Sequence, residues 1–401
     1  MSVSIDQKPL KSLLPIGQKV IFSVSESTIV ATKFNVKFIA EVRVSSTAID
    51  PNSNDALIGT YKTTPNNAGV GIFDLRPILE TFVSPDYEPN STTFPTAISE
   101  YKGTAASETM FPVHLIDKYS LSDNSVKFFS VRFRVEYSET ATGSIISPGD
   151  PTDSLPYTMF NGVLQYDDVL SLSYGNYGYE LDNIHLSRHF YLYYAPSNFL
   201  SNAPITQYAR ATDYGTFPFL NFVPQPTSTY RVHNILITAY NQSGVAYMSQ
   251  SIMNSPANGG AWNYTQVSGK SLQYIGIFPA NLRQHNALWE TEFAAGDIKY
   301  YTVEARNSAS VVVSDTYVIN IICPNARGYE GVRLTWLNQW GTWDYYTFNM
   351  KSTRSISTNR TSYTQQDGTW NESTFKISGY KGGKKNFRVN STEKIKLNTD
   401  F

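Results

Sequence analysis

The chain has 401 residues, 14% of them aromatic and only 16% charged, against about 25% charged in an ordinary globular domain. A formal net charge of -1 removes bulk electrostatics as a reason to bind nucleic acid or an anionic membrane. The single cysteine, Cys323, excludes an internal disulfide framework and any multi-cysteine zinc site, and no run approaches the ~18 apolar residues of a membrane helix.

Length alone predicts two to three domains. Met1 to Leu14 carries lysines but no apolar core of signal-peptide length before Pro15, so the N-terminus predicts a soluble protein without a secretory mark. The first clear strand follows: Phe34, Val36, Phe38, Ala40, Val42 and Val44 alternate with Asn35, Lys37 and Arg43, the period of a half-buried strand. A turn cluster runs from Asp50 to Asn54. Leu75 to Phe82 predicts a short helix, with Pro77 near its start and Pro85 beyond its end. Phe129, Val131, Phe133, Val135 and Tyr137 alternate with Ser130, Arg132, Arg134 and Glu136 to give a second strand. The polar stretch from Ser138 to Pro156, with Pro148-Gly149-Asp150-Pro151 inside it, reads as a linker. Alternation resumes at Ile235-Ile237-Ala239. A second short helix is expected around Asn281 to Glu290, and strands at Tyr301-Val303-Ala305, Tyr317-Ile319-Ile321 and Tyr345 to Met350.

The two helical stretches share their surroundings. Gly71-Ile72-Phe73 precedes one and Gly276-Ile277-Phe278 the other, with Leu75-Arg76 and Leu282-Arg283 soon after. Val126 to Val131 (Val-Lys-Phe-Phe-Ser-Val) then matches Ile298 to Val303 (Ile-Lys-Tyr-Tyr-Thr-Val) downstream. Order kept over three landmarks predicts a diverged internal duplication. The expected fold is therefore all-β: tandem antiparallel β-sandwich-like domains with one short helix each, plus a C-terminal β-hairpin region. The boundaries read as 1–145 for the first domain, 146–350 for the second with its preceding linker, and 351–401 for the last region. That last region holds ten Lys or Arg against four Asp or Glu, about +6, leaving about -7 for the remainder. Phe375-Ile377 and Phe387-Val389 flank Tyr380 to Lys385, a hairpin turn by composition. Lysines beside such short strands discourage unwanted edge pairing. Leu397 to Phe401 reads as a strand running into a helix N-cap.

Candidate chemistry fails residue by residue. His185 and His189 are spaced for one helix face, but the segment leads into a strand and offers no third ligand. Asp167 and Asp168 point to opposite faces of a strand, whereas glycoside hydrolysis needs carboxyls facing each other at about 5–10 Å. No Gly-x-Ser-x-Gly elbow is present, and Cys323, between Ile322 and Pro324, reads as a core thiol. Gly379 to Lys385 lacks phosphate-loop spacing, and triplets such as Asn263-Tyr264-Thr265 mean little without a secretory signal. The expectation is a non-enzymatic protein with no catalytic, cofactor-binding or metal residues.

One constellation stands out. Leu334 to Phe348 places Trp336, Trp340 and Trp343 within eight residues, around Asn338 and Gly341, with Asp344 and Tyr345 following. It reads as a hairpin whose aromatics close the core of the second domain; the sharper readings are a protein interface or a platform for sugar rings. The candidate residues are Trp336, Asn338, Trp340, Gly341, Trp343, Asp344 and Tyr345.

The order Cys323-Pro324, then Leu334-x-Trp336-Leu337-Asn338-x-x-Gly341-x-Trp343-Asp344-x-x-x-Phe348, resembles a hairpin of tail and baseplate virion structural proteins of tailed bacteriophages. Gln339 stands where that group often has arginine, and Thr342 where it often has a second glycine. Phe160 to Leu164 and Phe199 to Pro204 are similar to further landmarks of the group, so the resemblance covers Asn161 to Phe401. The N-terminal half matches only at Phe73-x-Leu75. Members often continue beyond a motif like Asn398 to Phe401. The resemblance implies a virion component of the tail tip, baseplate or fibre-attachment region, assembled in the host cytoplasm. Its implied partners are other phage virion proteins and copies of itself in a symmetric oligomer, with no specific nucleic acid and no membrane insertion. The alternative is a glycan-binding, receptor-recognition module with a host-surface glycan as partner.

Overall fold

The computed structural model describes residues 2–9, 13–46, 57–85, 119–122, 124–147, 150–163, 170–171, 178–179, 199–220, 232–254, 272–322, 328–377 and 383–399. The chain divides into two compact units, one formed by Met1–Ile322 with Leu334–Tyr346, the other by Cys323–Arg333 with Thr347–Phe401.

In the first unit, strands dominate, as the alternation requires. β1 (Ser4–Gln7), β2 (Leu13–Pro15) and β3 (Ile21–Ser25) lead through α1 (Ser27–Thr32) to β4 (Phe34–Ser45), β5 (Leu57–Thr63), β6 (Val70–Asp74) and α2 (Arg76–Leu79). Next come β7 (Tyr119–Leu121), β8 (Val126–Ser138), β9 (Ile145–Ile146), β10 (Thr152–Asp153) and β11 (Tyr157–Phe160). One sheet runs β2-β11-β8-β4-β5, with β9 and β10 on β8, and it faces a three-stranded sheet β1-β3-β6. Phe22 and Val24 of the smaller sheet pack with Phe38, Val42, Phe129, Phe133 and Met159 of the larger in one core.

The later half repeats the plan. β12 (Leu170–Ser171) pairs with β13 (Gly178–Tyr179), and then β14 (Thr206–Ala209), β15 (Thr216–Leu220), β16 (Asn234–Asn241), β17 (Ala246–Met253) and β18 (Leu272–Gly276) precede two helices. These are α3 (Pro279–His285) and α4 (Ala287–Ala295), followed by β19 (Ile298–Arg306) and β20 (Tyr317–Ile321). The larger sheet is β14-β20-β19-β16-β17 and the smaller β15-β18-β7. Strand for strand, β2, β4, β5, β8 and β11 correspond to β14, β16, β17, β19 and β20, down to a parallel edge pair in each, β2 with β11 and β14 with β20. The three sequence landmarks fall at equivalent places: the end of β6 and β18, the helix that follows, and the opening of β8 and β19.

Four expectations need amendment. Each larger sheet carries that parallel pair, so neither is wholly antiparallel. The helix expected over Asn281 to Glu290 is broken at Asn286, whose backbone is extended (φ -150°, ψ 130°) and whose side chain caps α4 by accepting from Leu288 N at 2.9 Å; asparagine suits a cap better than a helix interior. With α1 as well, the halves have more than one short helix each. The stretch from Ser138 to Pro156, read as a linker, contributes β9 and β10 to the first sheet, which therefore extends to Phe160. Conversely β7, from the first 145 residues, pairs with β18, and the Tyr119 hydroxyl donates to Ile252 O at 2.7 Å.

β8 is central enough to be covered on both faces. Arg132 and Glu136, which alternation places toward solvent, are 9% and 6% exposed, and each is paired, Arg132 with Asp153 at 2.7 Å and Glu136 with Lys62 at 2.6 Å. Burial without those partners would be costly.

The second unit holds β23 (Thr353–Gln365) and β24 (Gly383–Lys396), a two-stranded ribbon. A C-terminal hairpin is present, but Phe375 to Ile377 lies in no strand, Thr353–Gln365 is the partner of β24 instead, and Gly383 to Lys385, read as part of the turn, opens β24. In chain order β20 is followed by β21 (Val332–Leu337) and β22 (Trp343–Phe348), which pair with each other.

Candidate functional site: a buried hairpin tip

The link from β21 to β22 is built by one side chain. Asn338 Oδ1 accepts from the amides of Trp340 (2.9 Å) and Thr342 (3.2 Å), while its own amide donates to Thr342 O (2.8 Å) and Gly341 N donates to Asn338 O (3.1 Å). Asparagine at a turn mimics a backbone acceptor in this way. The pattern occurs at three other turns of the first unit. Asn66, Asn241 and Asn307 each accept from the amides two and four residues on, and the residue three on has positive φ: Gly69 (79°), Gly244 (78°) and Ser310 (61°), as against Gly341 (71°). The shared signal is Asn-x-x-Gly or Ser, then Val or Thr, and it was open to sequence reading.

The turn at Asn338 differs in what surrounds it. At the other three the tip lies at the surface; here Trp340 is 4% exposed and Gly341 and Thr342 are buried. The tip is inserted between two segments remote in sequence. On one side is the loop after β11: Val163 N donates to Gln339 O at 2.7 Å, and a Cβ at Gly341 would stand 1.6 Å from Asn161 O. That loop is itself fixed by Asn161 N to Ser125 O (3.0 Å), Ile16 N to Phe160 O (3.0 Å) and Gly17 N to Gly162 O (2.9 Å). On the other side is the segment before β14. Asn338 Nδ2 donates to Leu200 O at 2.7 Å, the Thr342 hydroxyl lies 2.7 Å from the same carbonyl, and Asn202 N donates to Asp344 Oδ2 at 2.8 Å. The tip thus ties β8 and β11 of the first half to Leu200 and Asn202 of the second.

Of the seven candidate residues, six gather here or just beneath. Asn338, Trp340 and Gly341 form the tip, and Asp344 is 1% exposed. Tyr345 enters the second core, its ring 6.0 Å from Phe278, with Trp343 packed against the same cluster. Trp336, on β21, is half-buried and takes no part in the tip's hydrogen bonds. Burial pushes the Asp344 carboxyl above its ordinary range, while hydrogen bonds from Ser201, Asn202, Asn338 and Ala203 pull the other way without prevailing. Sequence reasoning singled out neither Leu200 and Asn202 as partners nor Thr342; the main-chain groups among them leave no trace in residue type.

His185, His189, Asp167, Asp168 and Cys323 lie outside the described residues. Among the described residues no cluster of three or more His, Cys, Asp or Glu is placed to hold a metal ion, and no helix is long and apolar enough to cross a membrane. A cleft of about 390 Å³ beside α3 is lined by Thr212, Tyr214, Ala280, Arg283, Gln284 and Glu290. Its one cation, Arg283, is already held by both carboxylate oxygens of Glu290 at 2.7 Å and by Ala211 O at 2.9 Å.

Fold and site define an all-β protein of two like halves joined by a buried hairpin. No protein-family model matches the chain, and no curated protein does. Among solved structures, the Bacillus anthracis TIE protein aligns with 99% of this chain and 68% of its own at 7% identity and a TM-score of 0.11, a likeness too slight to bear on fold or function.

Proposed function

We propose that this chain is a non-enzymatic structural component of a tailed-bacteriophage virion, in the tail tip, baseplate or fibre-attachment region, that docks neighbouring virion proteins. The observation that supports this reading most is the convergence at one place of the three segments that resemble such proteins. Phe160 to Val163, Phe199 to Asn202 and the Leu334 to Phe348 hairpin meet through direct hydrogen bonds, so the shared residues are those that hold the molecule together. The glycan-binding alternative draws no support from Trp340, which is 4% exposed and has no open face for a sugar ring; it would rest on Trp336 and Trp343, which are half-buried.

The test is mass spectrometry of purified particles, followed by electron microscopy of particles carrying a label on this chain. The expected result is a fixed copy number and density in the tail region. Absence from particles, with the protein abundant in the lysate, refutes the proposal.

A further inference from the structure

The ribbon of β23 and β24 is longer than an isolated hairpin has reason to be. Every residue of both strands is exposed except Gln365, which is half-buried, and among the described residues no third strand pairs with either edge. Two strands alone are marginal in water. At about 3.4 Å per residue the ribbon reaches roughly 45 Å.

Its two faces differ. In an antiparallel pair directly opposed residues share a face, and the register sets Arg354 opposite Ile395, Ile356 opposite Glu393 and Arg360 opposite Val389. Phe387 occupies the irregularity between Arg388 and Asn386 and alternates onto the face of Val389. That face therefore carries Ile356, Phe387, Val389 and Ile395, which are 68%, 78%, 53% and 42% exposed, interspersed with Arg354, Arg360 and Glu393. The opposite face pairs Thr353 with Lys396, Ser355 with Lys394, Ser357 with Thr392, Asn359 with Asn390 and Thr361 with Arg388, with Tyr363 its one aromatic residue. Such patterning belongs to a sheet buried on one side. The strands also hold seven Lys or Arg against one acid, Glu393. Of these seven cations only Arg354 forms an ion pair among the described residues, with Glu330 and Glu393.

We propose that this ribbon is an interlock between copies of the chain: its apolar face lies on the body, residues 1–346, of a second copy. Charge argues for that occupant. The region from residue 351 carries about +6 and the rest of the same chain about -7, so each copy brings both halves of a complementary pair. Arg360 lies directly opposite Val389 on the same face, so an acidic protein body covers a cation and the apolar side chains together, whereas nucleic acid would leave Ile356, Phe387 and Val389 in water. Enclosing one face and one edge of a ribbon this long approaches the ~800 Å² per partner of a stable interface. Ribbon-to-body contact is heterologous, so repetition closes a ring or extends a stack. The proposal deepens the virion reading by naming the self-association on which such a part would rest.

The test uses the full chain. Sedimentation velocity from about 1 to about 100 µM is expected to show concentration-dependent oligomers, weakened at least tenfold between about 50 and about 500 mM NaCl. Phe387→Ser is expected to weaken association about tenfold, a hot-spot effect. Arg360→Glu, which leaves Ile356, Phe387, Val389 and the strand pairing in place, is expected to do the same with an unchanged melting temperature. A photo-crosslinking side chain at position 387, in an equal mixture of ¹⁴N and ¹⁵N protein, should join ribbon to residues 1–346 in mixed-isotope products. A monomer across the whole range overturns the proposal, as do same-isotope products only, ribbon-to-ribbon products, or a monomer that binds duplex DNA through the lysines. Association through the ribbon by a protein absent from particles would remove the virion reading and leave the interlock standing. A particle-borne protein whose purified form stays monomeric does the reverse.

Discussion

Gly341→Ala is the sharpest probe of the buried hairpin tip, because Gly244 supplies its own control. Both glycines have nearly the same backbone, φ 71° and 78°, in the same Asn-x-x-Gly turn. A Cβ at Gly244 meets nothing within 4 Å, whereas at Gly341 it would stand 1.6 Å from Asn161 O. Left-handed backbone costs an alanine about 1–2 kcal/mol, and that is the whole expectation for Gly244→Ala. At Gly341 the tip must withdraw by more than an ångström, stretching the 2.7 Å bonds from Val163 N to Gln339 O and from Asn338 Nδ2 to Leu200 O. Each buried group left unpaired adds about 1–3 kcal/mol. The expected cost of Gly341→Ala is therefore about 4–6 kcal/mol, in the range that singles out a specific mechanism. Urea denaturation at neutral pH, with linear extrapolation, measures both variants against the parent. If the two costs agree to within about 0.5 kcal/mol, the tip is not held by the Asn161, Val163 and Leu200 contacts.

Asn338→Ala removes the acceptor of two amide bonds and the donor to Leu200 O in a buried setting; a loss of about 3 kcal/mol is expected in the same assay, against about 1 kcal/mol for Asn241→Ala at its surface turn. Asp344 gives a pH signature. Its folded-state pKa is raised chiefly by burial, so the folded chain holds that proton more tightly than the unfolded one. The resulting stabilisation is complete below the unfolded value of ~3.9 and is lost as pH rises through the folded value. Stability of the parent minus that of Asp344→Asn should therefore fall as pH rises over that window, and a flat difference would show that Asp344 is not so perturbed. Tyr119→Phe deletes the buried hydroxyl that donates to Ile252 O. It should destabilise by about 1–2 kcal/mol, read from the shift in thermal midpoint, and no shift would mean that β7 does not anchor the second half as described.

Much of the architecture was legible because period-two alternation is local. Phe34 to Val44 and Phe129 to Tyr137 became β4 and β8, and the third repeated landmark opens the matching strands β8 and β19 of two larger sheets with one strand order. What escaped depends on neighbours distant in sequence. Arg132 and Glu136 read as solvent-facing because residue type does not reveal that Asp153 and Lys62 lie alongside. The polar run after Ser138 read as a linker because β9 and β10 are two residues each, too short for any alternation to register. The site divides along the same line. Three tryptophans around Asn338 and Gly341 marked a hairpin, but Asn241 and Gly244 make the same local turn at the surface. The Asn161 and Leu200 carbonyls and the Val163 and Asn202 amides distinguish the two, and main-chain groups are silent in a sequence.

The position of the hairpin tip along the chain also orders events during synthesis. The loop at Asn161 to Val163 leaves the ribosome well before the residues that lock it, Gln339 to Gly341. At about 5–20 residues per second, that gap lasts roughly 10–35 s. Throughout it the first core can form while the Asn161 carbonyl, the Val163 amide and the Leu200 carbonyl remain without their final partners. The nascent chain is thus held open at one seam until the last strands of its body emerge, and a chain released early carries that seam unlatched.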